Sequence, residues 1–212
     1  MTTREVSAAE LQKLDPKAFE RAYWEWVEHH YWDGDDTIAY FIEKLDEENI
    51  FSVGPNDVQW SGFYSQGSGA TFEARVDLLK YMRDKGYDVT HQPLYLDMEN
   101  YGVTCRINSG RNSRNNRMPQ HVEIDYTPGN CVPAGIYSDL PQETWDQLLE
   151  AQWDELCSTL ETDIAEVASD KADALYKDLQ SDYEYCTSEE QFIESCECNE
   201  VTFEIEEESC EA

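Results

Sequence analysis

The sequence predicts an α+β protein: a mostly antiparallel sheet, N-terminal helices, and a long acidic C-terminal helix packed on the sheet. Three observations predict it. Apolar residues recur at three- and four-residue spacing from Lys17 to Leu45, the period drops to two after Gly54-Pro55-Asn56, and it returns to the helical value at Pro141 and holds to about Tyr183. The 212 residues can bury about 70% of the surface that the unfolded chain exposes. An aromatic content of 12% argues against global disorder, because disordered acidic chains are poor in aromatics.

Ser7 with Glu10 three positions later makes a capping box, and Asp15-Pro16 offers a second helix start with proline in the first turn. Ala18, Phe19, Ala22, Tyr23, Trp26 and Val27 then form one helical stripe, and Ile38, Phe41, Ile42 and Leu45 form another. Asp33-Gly34-Asp35-Asp36 between them lacks the spacing of a calcium loop and reads as a helix-to-helix turn. Val58-Trp60-Gly62 and Thr71 to Val76 alternate as two strands of a hairpin, and Leu78 to Lys85 is a short helix ended by Gly86. Leu94 to Met98, Val103 to Ile107 and His121 to Tyr126 read as further strands.

Pro141 opens the longest periodic segment, with Trp145, Leu148, Leu149, Leu156, Leu160, Ile164, Val167, Leu175 and Leu179 in one stripe; the pattern is compatible with one helix or with a kink or short break near Ser169, which no Gly or Pro marks. Thr187-Ser188 followed by Glu190-Gln191 caps a final helix, and Val201 to Ile205 alternates as a last strand. These elements read as one domain over 1–205, helical over 1–50, sheet over 56–127, helical over 139–198 and strand over 201–205, with an acidic tail over 206–212.

The charge is extreme and uneven. Lys and Arg number 15 against 46 Asp and Glu, a formal net charge of −31. From Asp139 onward there are 24 acidic and 2 basic residues. Such a field attracts basic protein surfaces and repels nucleic acid and anionic membrane. Within the long helical segment Asp163, Glu166, Asp170 and Asp173 stack at spacings of three and four, and Asp146, Glu150 and Asp154 repeat every four. Like charges at these spacings cost about 0.2 to 0.5 kcal/mol per pair, so the two rows are the candidate face for a cationic protein partner.

Other chemistry is sparse. Seven cysteines without a secretory leader read as reduced thiols, and the late cluster Cys186, Cys196, Cys198 and Cys210 lacks zinc-ligand spacing. His29 and His30 sit at a helix end, while His91 and His121 are isolated. No base, orienter and nucleophile converge, so the expectation is a protein that is not an enzyme, with no cofactor and no metal. Arg106, Arg111, Arg114 and Arg117 form the one basic cluster, which reads as internal pairing with the acidic helix or a solvated loop. No basic leader and no apolar run of ~20 residues is found, so a cytoplasmic location without a membrane span is expected.

The most distinctive segment is Trp60-Ser-Gly-Phe-Tyr-Ser-Gln-Gly-Ser-Gly-Ala70. As a glycine-rich loop it lacks the lysine of a phosphate-binding loop and leads into a strand, so a hairpin with Gly67 and Gly69 at positive φ is expected, Phe63 and Phe72 pointing inward. Ser61, Gly62, Phe63, Ser65, Gln66, Gly67, Gly69, Ala70 and Phe72 resemble the Ser-Gly-Phe-aromatic-Ser-Gln-Gly-x-Gly-Ala segment of a phage and prophage family labelled an antitoxin of a toxin-antitoxin stability system. Tyr183, Tyr185, Thr187, Ser188, Glu190, Asn199, Glu200 and Phe203 match its later segment in order. Ser68 departs where that family has Asp, Cys186 where it has Leu, and an Arg/Asn-rich loop replaces a later strand region.

The resemblance implies a phage-like origin and an antitoxin-like role. With the charge, it leads to an acidic inhibitor of a basic, nucleic-acid-binding host or toxin protein, in the manner of a DNA mimic. A salt-adapted accessory protein, to which the seven lysines are suited, and an enzyme or metal protein are the alternatives.

Overall fold

A computed structural model of the chain describes residues 2–64, 68–87, 93–109, 120–127 and 138–207. Where the sequence reading has one domain over 1–205, the chain divides into two compact units, Met1–Gly34 with Leu179–Ala212, and Asp35–Asp178. All strand pairs among the described residues are antiparallel, as the α+β reading predicts.

The first unit joins the two ends of the chain. β1 (Thr2–Val6) pairs with β8 (Phe203–Glu207), Val6 opposite Phe203. Ser7 caps α1 (Ala8–Leu14) through the reciprocal box with Glu10, and Asp15 caps α2 (Pro16–His29) by accepting from Ala18 N at 3.0 Å. Ser188 caps α7 (Glu189–Cys198). Val6, Leu11, Phe19, Phe192 and Cys196 form the core, with the Phe192 ring edge-on to Phe19 at 5.4 Å. β1 was not expected, since the sequence reading makes 1–50 helical: Thr3, Arg4 and Glu5 are exposed and Val6 is buried, so the strand has no alternating apolar face, and its partner lies at the far end of the chain. Glu206 and Glu207 extend β8 rather than starting a tail; 208–212 lie outside the described residues.

The second unit begins with α3 (Asp35–Glu48). A four-stranded sheet runs in the order β2-β5-β6-β7, from β2 (Phe51–Ser52), β5 (Ala74–Val76), β6 (Thr104–Ser109) and β7 (Gln120–Asp125). β3 (Val58–Ser61) and β4 (Gly69–Phe72) make a separate two-stranded ribbon. The stretch Thr71 to Val76 is therefore two strands and not one. Glu73 separates them, its N–H turned to the Asp57 carbonyl at 2.8 Å, which sends β4 to one sheet and β5 to the other.

α4 (Leu78–Asp84) is followed by α5 (Pro93–Tyr101), which occupies the stretch Leu94 to Met98 that the sequence reading assigns to a strand. Leu94, Tyr95 and Met98 are buried, a spacing of one and four that fits a helix face. Over so short an apolar run, period two and period 3.6 coincide.

α6 (Gln142–Cys186) runs unbroken for 45 residues and supplies side chains to both units. In the second unit its Trp145, Leu149, Leu160, Ile164, Ala168 and Ala172 share one core with Val76, Cys105, Ile107 and Val122 from the sheet. Each large apolar side chain so buried stabilises the fold by about 1.5–3 kcal/mol. Among the described residues no helix is long and apolar enough to cross a membrane.

Candidate functional site

The acidic rows of α6 lie beside, not on, the stripe that fills the core. At ~3.6 residues per turn, Asp163, Glu166, Asp170 and Asp173 fall within an arc of roughly 80°, whereas Glu150 and Asp170 point roughly 160° apart. The seven carboxylates expected to make one acidic face therefore belong to two flanks of the helix, because their spacings of three and four are interrupted by eight residues between Asp154 and Asp163.

Within the first row the structure separates one member from the rest. Asp163 is half-buried and accepts a hydrogen bond from the Tyr87 hydroxyl. Burial, and then the Asp163 carboxylate itself, push the Tyr87 hydroxyl well above its ordinary pKa, so it remains a donor through neutral pH. Glu166, Asp170 and Asp173 are exposed. The adjacent cation does not neutralise them: Lys171 turns to Glu48 on α3, with Nζ 2.6 and 2.8 Å from the two carboxylate oxygens, and lies over the Phe51 ring at 5.4 Å. In the second row Asp146 accepts from Gln142 Nε2 at 2.7 Å, and Glu150 and Asp154 are exposed. Among the described residues the four ion pairs are Arg4–Glu10, Lys44–Glu47, Lys80–Asp84 and Lys171–Glu48, and none includes a member of either row.

The glycine-rich segment forms the β3–β4 ribbon, with Ser61 opposite Gly69 and Trp60 opposite Ala70. Ser61 Oγ accepts from Gly69 N at 3.2 Å. Phe72 and Ala70 are buried, and Phe63 stacks on Trp60 and contacts Tyr176 of α6, each at 5.6 Å between ring centres. One expectation is corrected: Gly69 does not adopt positive φ, because it is already paired in β4, and neither does Gly62; among the described residues of the segment the left-handed one is Tyr64, at φ 65°. Ser65, Gln66 and Gly67 lie outside the described residues.

Several other sequence candidates have ordinary surroundings. Cys186 donates to Asp182 at 3.8 Å, Cys196 is buried in the first unit's core, and Cys198 is exposed; Cys210 lies outside the described residues. Among those described, no three of His, Cys, Asp and Glu are grouped to hold a metal ion. His29 Nδ1 is 2.7 Å from the Glu25 carbonyl, and the His30 ring lies 4.6 Å from Trp26. Arg106 is in β6, directly between Arg75 of β5 and Glu123 of β7. His91, Arg111, Arg114 and Arg117 lie outside the described residues.

Sequence reasoning missed a groove that Glu166 helps to line. Gln120, His121 and Val122 of β7 face Glu161, Thr162, Ala165, Glu166 and Ser169 of α6 across a space of about 420 Å³. Neither half is a motif, and the two halves are brought together only by the packing of α6 on the sheet.

No curated protein and no solved structure matches this chain. A family model does, over residues 26–189, a span that contains the β3–β4 ribbon, the groove and both acidic rows. The chain belongs to that family, described as a domain of unknown function, DUF8835.

Proposed function

We propose that this protein is a non-enzymatic acidic binding protein, phage-encoded and acting in the host cytoplasm, that inhibits a basic, nucleic-acid-binding host or toxin protein in an antitoxin-like or DNA-mimic-like way. The observation that carries the reading is the exposed row Glu166, Asp170 and Asp173 on a continuous helix, with the neighbouring Lys171 committed to Glu48. Along the axis these carboxylates are spaced by about 6 and 4.5 Å at 1.5 Å per residue, the same order as the ~3.4 Å rise per phosphate in one DNA strand. A net charge of −31 supplies the long-range attraction that speeds encounter with a cationic surface. The resemblance of the Ser61 to Phe72 segment to the antitoxin-labelled family supports the same reading.

The test leaves Asp163 in place, since it is bonded to Tyr87. The protein and its Glu166→Gln/Asp170→Asn/Asp173→Asn variant are immobilised and exposed to host lysate at low and high salt, with and without duplex DNA as competitor. Wild type retains basic nucleic-acid-binding proteins that salt and DNA displace, because the Debye length shrinks from about 10 Å at 0.1 M to about 3 Å at 1 M. The variant folds as well or better, having lost like-charge neighbours, and retains less. Equal retention by the two proteins at every salt concentration refutes the row as binding face and favours acidity as salt adaptation.

A further inference from the structure

We propose that the β7 edge and the α6 face across the groove form a seat for an extended, lysine- or arginine-bearing segment of a protein partner, which adds to the sheet as a strand beside β7. The proposal rests on the reading of a basic partner and specifies how one segment of it is held.

β7 closes one side of the four-stranded sheet among the described residues. An edge strand presents a row of backbone N–H and C=O groups, which is the template for strand addition. Natural edges are commonly blunted by short length, charged side chains or proline. The opposite edge, β2, is only two residues long, whereas β7 has six, Gln-His-Val-Glu-Ile-Asp, with no proline; its exposed charges, Glu123 and Asp125, are acidic and repel an acidic strand rather than a basic one.

The groove follows that edge. Successive strand residues point to opposite faces, and β7 obeys this: Gln120 and Val122 are buried while His121 is exposed. All three nevertheless line the same space. A cavity over one face of the sheet would touch alternate residues; a cavity touched by three in succession runs along the strand's side.

The far wall selects the occupant. Thr162, Ala165 and Ser169 are small and leave room, and Glu161 and Glu166 flank them with two carboxylates that make no ion pair among the described residues. Among the described residues that line the groove, none is lysine or arginine. A neutral or acidic strand would bring no counter-charge to these groups, whereas a cationic one would.

The probe is a capped (Lys-Val)4 peptide, with (Glu-Val)4 as control, added to the full chain. Binding is read by fluorescence anisotropy and by hydrogen exchange of the β7 amides. The variant Glu161→Gln/Thr162→Lys changes the wall without touching Glu166, Asp170 or Asp173. Its melting curve serves as the folding control, with a Glu161→Gln single variant as the milder change.

Expected are at least tenfold slower exchange at Gln120–Asp125 with saturating (Lys-Val)4, at least tenfold weaker binding by the double variant, a smaller loss for Glu161→Gln, and no binding of (Glu-Val)4. Unchanged β7 amides, equal binding by the variants, equal binding of the acidic peptide, or β7 protection arising from self-association alone would overturn the seat. If the seat fails while salt-sensitive capture of basic proteins persists, only this inference falls. If capture also fails, the functional reading falls with it.

Discussion

Gly34→Ala tests the turn between α2 and α3, and its effect separates into two parts. Gly34 has φ +74°, where an L-residue costs about 1–2 kcal/mol. A Cβ there would sit 2.7 Å from Leu179 Cδ2 and 3.2 Å from two atoms of the Trp32 ring. Leu179 is 0% exposed and so has no solvent into which to swing; overpacking of this kind costs about 1–3 kcal/mol. The reduced freedom of the unfolded alanine chain returns about 0.4–1 kcal/mol. The net destabilisation is about 3 kcal/mol.

Gly86→Ala is the control, because Gly86 has φ +77° but no atom of the described residues within 4 Å of the added Cβ. It should lose only the backbone part, about 1 kcal/mol. Urea denaturation followed by circular dichroism and tryptophan fluorescence gives both values. The fluorescence senses the Gly34 turn through Trp32, whose Nε1 donates to Asp182 at 2.8 Å. In melting temperature the pair should fall by about 6–12 °C and about 2–4 °C respectively. Equal losses in the two variants would refute the contact between the turn and Leu179.

Leu160→Ala removes three carbons from a site of 0% exposure in the second unit's core, and should cost about 2–5 kcal/mol by denaturant midpoint; a loss below 1 kcal/mol would show that the α6 stripe is not packed on the sheet. Alkaline pH should weaken the same core. Burial pushes the Cys105 thiol from 9.0 up to about 12, and burial followed by Asp163 raises the Tyr87 hydroxyl. The folded state thus holds protons that the unfolded state releases, so this stability is intact below about pH 9 and is lost as pH rises toward about 12. Urea midpoints should decline across that window, and Cys105→Val should flatten part of the decline; a slope unchanged by that variant would assign it to other groups.

The helices with local signals were legible in the sequence. The Ser7–Glu10 box, the Asp15-Pro16 start and the Ser188 cap each satisfy orphan N–H groups within three residues, so no distant partner is needed to specify them. The apolar period likewise marked the α6 segment and its buried side, including Leu160, Ile164 and Leu179, while the structure decided that the helix runs without a break near Ser169. Strands were harder where the partner was remote. β1 depends on β8, and Ala74 to Val76 pairs with Ile107 to Cys105 while the residues just before it pair with Val58 to Ser61. Nothing local at Glu73 says that the chain changes sheets there.

For the candidate site, composition determined the sign and excess of charge, and helical spacing determined which acids stack on α6. Only the tertiary structure decided which of them stay exposed. Tyr87 takes Asp163, Glu48 takes Lys171, and the β7 edge comes to lie across from Glu161 and Glu166. Charge count and periodicity are properties of neighbours along the chain, whereas pairing and solvent access depend on contacts between residues dozens of positions apart, which the packing of α6, α3 and the sheet creates.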